Sequence, residues 1–168
     1  MMECKIVIRT IEAADIDQTQ RFLLSHCQEL YGTVSIRQRQ DIENLAERYI
    51  SPERNTFLGA FTLDGALIGT IAVTGYDDRI AALKGRYSLP TTAEIGRFYI
   101  EQQIRRQGIG SGLLEKILEF CCRHDYTSIY LHTHRYLPGG FNFWQKQGFR
   151  IVLDEGGSDQ IVHMEKCL

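Results

Sequence analysis

With 168 residues, 43% of them hydrophobic and 24% charged, the chain has the size and balance of one soluble domain, residues 1–168, around one core. A formal net charge of −2 excludes a general attraction to nucleic acid or to an anionic membrane, so any basic site must be local. The five cysteines (Cys4, Cys27, Cys121, Cys122 and Cys167) form no CxxC pair and read as reduced thiols. The first residues lack the apolar run of a signal peptide and no stretch reaches transmembrane length, so a cytoplasmic protein is expected.

Residues 4–10 carry Ile6, Val7 and Ile8 and read as a first strand. Asp15 is placed to cap a helix with apolar positions Ile16, Phe22, Leu23, Cys27 and Leu30, ending near Gly32. A second helix is expected over residues 36–50, with Ile42, Leu45, Ala46 and Tyr49 on one face, and Ser51-Pro52 stops it. Residues 56–63 and 66–74 are apolar runs joined by Asp64-Gly65, the strongest hairpin signal in the chain. Residues 75–92, with Asp77, Asp78, Gly85 and Pro90, read as a loop long enough to be a substrate-facing segment.

A strand is expected over residues 93–100 and an amphipathic helix over residues 108–124. Ile109, Leu113, Ile117 and Phe120 form the helix's apolar stripe, with Glu115, Lys116, Glu119 and Arg123 opposite. Cys121 and Cys122 are assigned to its apolar side as core residues. Residues 128–133 form a strand and residues 140–147 a short helix closed by Gly148. Strands over 149–153 and 160–165 meet at the Gly156-Gly157 turn. The order β-α-α-β-β-β-α-β-α-β-β describes an α/β protein with a mixed central sheet, an antiparallel meander, one βαβ crossover and a C-terminal hairpin.

The junction between the strand at 93–100 and the following helix carries the chemistry. Arg105-x-x-Gly108-x-Gly110-x-Gly112 places backbone N–H groups, two guanidinium groups (Arg105 and Arg106) and the positive end of a helix dipole at one point, which suits an anion such as phosphate. The spacing matches neither the ATPase phosphate loop nor the dinucleotide fingerprint.

Arg105-x-x-Gly108-x-Gly110 resembles the R/Q-x-x-G-x-G/A signature of the GNAT superfamily of N-acetyltransferases. The preceding AEIGRFYI at 93–100 and the FWQKQGF at 143–149 resemble the strand before that signature and the family's late F-Y-x-K-x-G-F element. The element order fits the family fold, with helices on both faces of the sheet, over nearly the whole chain. The resemblance implies that backbone amides of Gln107, Gly108, Ile109, Gly110, Ser111 and Gly112, with Arg105 and Arg106 nearby, hold the pyrophosphate of acetyl-CoA. It also implies that the exposed strand edge at Phe98, Tyr99 and Ile100 pairs with the pantetheine arm, where a strand N–H would stabilise an oxyanion.

The implied reaction is direct attack of an amine on the acyl thioester, with a base to deprotonate the ammonium. Glu94 is the first candidate for that base. His134 is a candidate for proton relay. His132 and His134 share a strand face, but no third ligand is evident, so no metal is expected. The family's late tyrosine, the acid for the leaving thiolate, is replaced by Trp144, whose indole donates a hydrogen bond but is no acid. Tyr136 or His134 supplies that proton instead, or the thiolate leaves unassisted, or the domain binds acyl-CoA without turnover. The acceptor is expected to be a small-molecule or peptide amine. It would lie between the first two helices and the 75–92 loop, where Glu29, Tyr31, Asp77 and Asp78 make a cation-friendly surface. Many relatives pair, so a homodimer is compatible with the sequence, although no feature demands one.

Overall fold

The computed structural model describes residues 5–137 and 139–168, so the expected start of the first strand at Cys4 lies outside the described residues. Seven strands make one mixed sheet: β1 (Ile6–Thr10), β2 (Thr56–Thr62), β3 (Leu67–Gly75), β4 (Thr92–Ile100), β5 (Ser128–His134), β6 (Arg150–Gly156) and β7 (Ile161–Cys167). Their spatial order is β1-β2-β3-β4-β5-β7-β6. The helices are α1 (Ile16–Tyr31), α2 (Ile36–Glu43), α3 (Ile109–Arg123) and α4 (Gly140–Lys146). The one parallel register among the described pairings joins β4 to β5, the two strands that α3 connects, as a βαβ crossover requires. Among the described residues no helix is long and apolar enough to cross a membrane.

The chain divides into two compact units, one formed by Met1–Thr74 with Gly96–Phe120, the other by Gly75–Ile95 with Cys121–Leu168. In the first, the apolar faces of α1 and α2 close on β2 and β3: Phe22, Leu23, Cys27 and Ile42 pack with Phe57, Phe61, Leu67 and Ala72. The Asp64-Gly65 hairpin forms as its sequence predicts, with Gly65 at a φ of 87° and Thr62 N–H donating to Ala66 O at 2.9 Å.

Two helix ends differ from expectation. Asp15 does not cap α1 with its side chain. Its carboxylate accepts the Glu12 N–H at 2.9 Å and the Arg9 guanidinium at 2.6 and 3.0 Å, so it caps the short 3-10 turn before α1. The second helix does not run unbroken over residues 36–50. Ser35 and Gln38 form a capping box at its start, α2 ends at Glu43, and Ala46–Ile50 continues as a π-helical turn. That wider turn presents Arg48 and Tyr49 together to Asp41.

In the second unit β5 pairs with β7 along its whole length, from Ser128↔Cys167 to His134↔Ile161, and β6 lies outside β7. Residues 76–91 carry two 3-10 turns, Ala81–Leu83 and Leu89–Thr91. They cover Tyr130 with Tyr76, whose ring lies 4.7 Å away, and pack Leu83 into the same cluster. Cys121 is buried as expected, and desolvation pushes its thiol up to about 12, which makes it inert. Cys122 is exposed, contrary to its assignment to the core, because it lies one position further round the helix.

Candidate functional site

β4 ends at Ile100, a 3-10 turn spans Gln102–Ile104, and α3 begins at Ile109. Arg105 anchors the connection: its Nε donates to Ile100 O at 3.1 Å. Arg106 and Gly108 both take left-handed backbone angles, φ 66° and 81°. A Cβ on Gly108 would meet nothing within 4 Å, so backbone conformation and not crowding selects glycine there. Gln107, Gly108 and Ser111 are exposed, and the first N–H groups of a helix have no acceptor within the helix. The turn therefore presents donors and a positive dipole end to solvent.

Gly112 is a correction to the expected amide set. Its N–H is spent inside the helix, on Gly108 O at 3.0 Å. Its missing side chain serves packing, since a Cβ would stand 2.9 Å from Ile8 Cδ1 on β1. Of the expected amide set, that leaves Gln107, Gly108, Ile109, Gly110 and Ser111.

On β4, Phe98 is half-buried while Tyr99 and Ile100 are buried. Tyr99 points into the core, with its ring 5.7 Å from His26 and its hydroxyl 3.8 Å from Cys27 Sγ, and burial pushes its pKa up. Just before these residues the strand is irregular. Arg97 has a φ of 53° and its carbonyl accepts the Thr70 hydroxyl at 2.7 Å. The Arg97 guanidinium pairs with Asp41, through Nε at 2.8 Å and Nη2 at 2.6 Å. This pair is not among the residues that the sequence singles out. Its only local signal was an arginine beside a glycine inside a strand, and nothing local marks a partner 56 residues away.

In the second unit, Glu94 is held by Arg79, which donates to both carboxylate oxygens at 2.6 Å and also to Asp77 at 2.9 Å. The hydrogen bond to Glu94, ahead of the burial that opposes it, holds Arg79 far above its ordinary range. His134 Nδ1 lies 2.7 Å from Asp159 O and its ring 5.0 Å from Tyr136, which is 44% exposed. Glu94 is in register with Tyr130, four residues before His134 along β5, a separation of about 13 Å at strand rise. The two residues proposed for proton handling are therefore not brought together. The His132 and His134 rings are 6.4 Å apart, and no group of three metal-ligating side chains exists among the described residues.

Trp144 is buried, edge-on to Phe143 at 5.0 Å and to Phe149 at 5.2 Å, so it acts as a core residue. The acidic groups expected to face an acceptor have other company: Asp77 holds Arg79, Asp78 accepts the Gly85 N–H at 3.2 Å, and Tyr31 packs on the first unit's core. Glu29 is exposed.

The strand order and the strand–turn–helix unit within it define an acetyltransferase fold. The chain belongs to the acetyltransferase (GNAT) family, whose model matches residues 14–149, a span that takes in residues of both units. It is 32% identical over 130 residues to a spermidine N(1)-acetyltransferase of Thermoplasma acidophilum, covering 76% of this chain and 71% of that one. It is 26% identical over 122 residues to the N-acetylaspartate synthetase of Homo sapiens, covering 73% of this chain but only 35% of the longer relative. A PaiA N-acetyltransferase of Thermoplasma acidophilum, solved in complex with coenzyme A, shares the fold with a TM-score of 0.73 at 24% identity, over 98% of this chain and 99% of that one.

Proposed function

We propose that the protein transfers an acetyl group from acetyl-CoA to a primary amine by direct attack. The observation that carries this reading is the turn at residues 105–111, with left-handed Arg106 and Gly108 feeding the N-terminus of α3, in a chain of the GNAT family. When bound, acetyl-CoA supplies a thioester whose acyl carbon accepts the amine, forming an amide and releasing the thiol.

The chain's own residues divide the remaining work. The amides of Gln107, Gly108, Ile109, Gly110 and Ser111 hold the pyrophosphate, and Arg105 and Arg106 add charge nearby. The β4 backbone at Phe98, Tyr99 and Ile100 aligns the pantetheine arm. Glu94 takes the amine proton. Arg79 occupies one lone pair on each of its oxygens and leaves the others to accept. His134 or Tyr136 returns a proton to the thiolate, which is a fair leaving group even unassisted. Relatives named for spermidine and for N-acetylaspartate support a small amine as acceptor. A single catalytic domain acting in the cytoplasm belongs to the same proposal.

Trp144 favours a second reading, a silent acyl-CoA-binding module, since the late acid is absent and its position is filled by core packing. Thiol release from acetyl-CoA against a panel of primary amines separates the two. Release with any one amine supports the transferase, whereas tight CoA binding without release for all of them supports the module. Combining Arg105→Ala with Gly110→Asp should abolish CoA binding in calorimetry, and unchanged affinity would defeat both readings.

A further inference from the structure

Arg97 is the one charged side chain in the C-terminal half of β4, past Glu94, the last β4 residue in described register with β5. Its side chain is only 15% exposed, and Asp41 orients it through Nε and Nη2. Asp41 itself is 9% exposed and also takes the Arg48 guanidinium and, at 2.7 Å, the Tyr49 hydroxyl. One carboxylate thus takes two guanidinium groups and a hydroxyl. Among the described residues, Nη1 of Arg97 has no acceptor, so the outer edge of the fork remains available for a planar anion.

Open space lies one residue away along β4. Gly96, two residues past the last described pairing of β4 with β5, is exposed, its φ is ordinary, and a Cβ there would meet nothing within 4 Å. The left-handed Arg97, whose carbonyl is held by Thr70, interrupts the strand's regular alternation at this opening. Resting on the acetyltransferase reading, we propose that Gly96 and Arg97 form the acceptor site and that the acceptor is an amine bearing a carboxylate, which Arg97 binds through its free edge. Asp41 is then a positioning residue, holding the guanidinium plane and setting its orientation. A polyamine would bring a second positive charge to the same place and is disfavoured.

The test compares L-aspartate and 4-aminobutyrate with spermidine and butylamine, both as substrates in the thiol-release assay and as ligands titrated calorimetrically into the CoA-loaded protein. The amines bearing a carboxylate are expected to be preferred in kcat/KM by about tenfold to a hundredfold, as for a charge-assisted hydrogen bond lost or kept. In Arg97→Gln that ratio should fall to about one, through KM more than kcat, and Arg97→Lys should restore part of it. A ratio cancels general damage to the fold. Gly96→Leu, whose side chain enters open space, should keep the thermal midpoint while weakening aspartate binding at least tenfold.

Equal or better use of spermidine and butylamine by the wild-type protein overturns the proposal. So does an Arg97→Gln variant that loses both substrate classes equally. If no amine is acetylated but aspartate binds in an Arg97-dependent way, the site stands and the transferase reading fails. If aspartate neither binds nor reacts while another amine is acetylated, the transferase stands and this site fails.

Discussion

The two compact units bury polar side chains to different ends. In the unit containing Gly75–Ile95 and Cys121–Leu168, the buried network on β7 is largely satisfied from within. Glu165 accepts from Arg86 at 2.8 Å and from Arg150 at 2.9 Å. His163 is bonded at both ring nitrogens, to the Tyr130 hydroxyl and to Glu155, each at 2.7 Å. Among the described residues the buried Tyr76 and Tyr87 hydroxyls lack a partner of good hydrogen-bond geometry, although Tyr87 interacts electrostatically with Arg86 and Glu165. In the unit containing Met1–Thr74 and Gly96–Phe120, charges converge on Asp41 but leave the edge of Arg97 unclaimed. A closed network spends its hydrogen bonds on holding strands together. An open one retains binding capacity, because a desolvated guanidinium is worth more to a ligand than one in water.

The sharpest way to break this contrast is to remove the carboxylate at the centre of the open cluster. Asp41→Ala strands the mostly buried Arg97 and should cost about 3–5 kcal/mol in urea denaturation. Arg97→Gln should cost clearly less, since Asp41 keeps Arg48 and Tyr49. Equal costs would mean that Arg97 is a structural ion-pair member only.

The closed network offers the next largest effect. His163→Leu keeps side-chain volume but leaves the Tyr130 hydroxyl without its hydrogen-bond partner, at a cost of about 1–3 kcal/mol in the same measurement. A smaller and pH-dependent effect belongs to Glu165. Burial raises its pKa, but the hydrogen bonds from Arg86 and Arg150 outweigh that and hold it below the ordinary carboxylate range. A carboxyl lowered in the folded state contributes stability above its unfolded pKa and loses it as pH falls through the folded value. The difference in thermal midpoint between wild type and Glu165→Gln should therefore be largest near about pH 7 and shrink towards about pH 3. A difference independent of pH would remove the ionic reading of the network. Smallest, and indifferent to the contrast, is Ser35→Ala, which removes the cap on α2 and should lower stability by about 1 kcal/mol without altering the acceptor preference.

Much of the fold was readable in advance because its signals are local. The Asp64-Gly65 turn, Gly32 ending α1 at a φ of 70°, and the apolar stripe of α3 each depend on a few neighbouring residues. The misplaced details involve choices between partners. Asp15 had a cap position available but was drawn to Arg9 and the Glu12 N–H, and the helix after Ile36 changed to a π turn where Arg48 and Tyr49 reach Asp41. Gly112 sat in the motif with glycines of another purpose, and only its proximity to Ile8 distinguishes it.

The turn at residues 105–111 was determined by the sequence itself, since left-handed glycine geometry, a helix start and adjacent arginines are properties of consecutive residues. Family membership followed from the same stretch and from the late element at 143–149. Tertiary structure alone decided that β7 inserts between β5 and β6, that Glu94 is clasped by Arg79, and that Asp41 aims Arg97 beside an open Gly96. Each of these depends on side chains or strands distant in sequence, whose meeting is set by core packing and by the energetic need to pair buried charge, which no local pattern encodes.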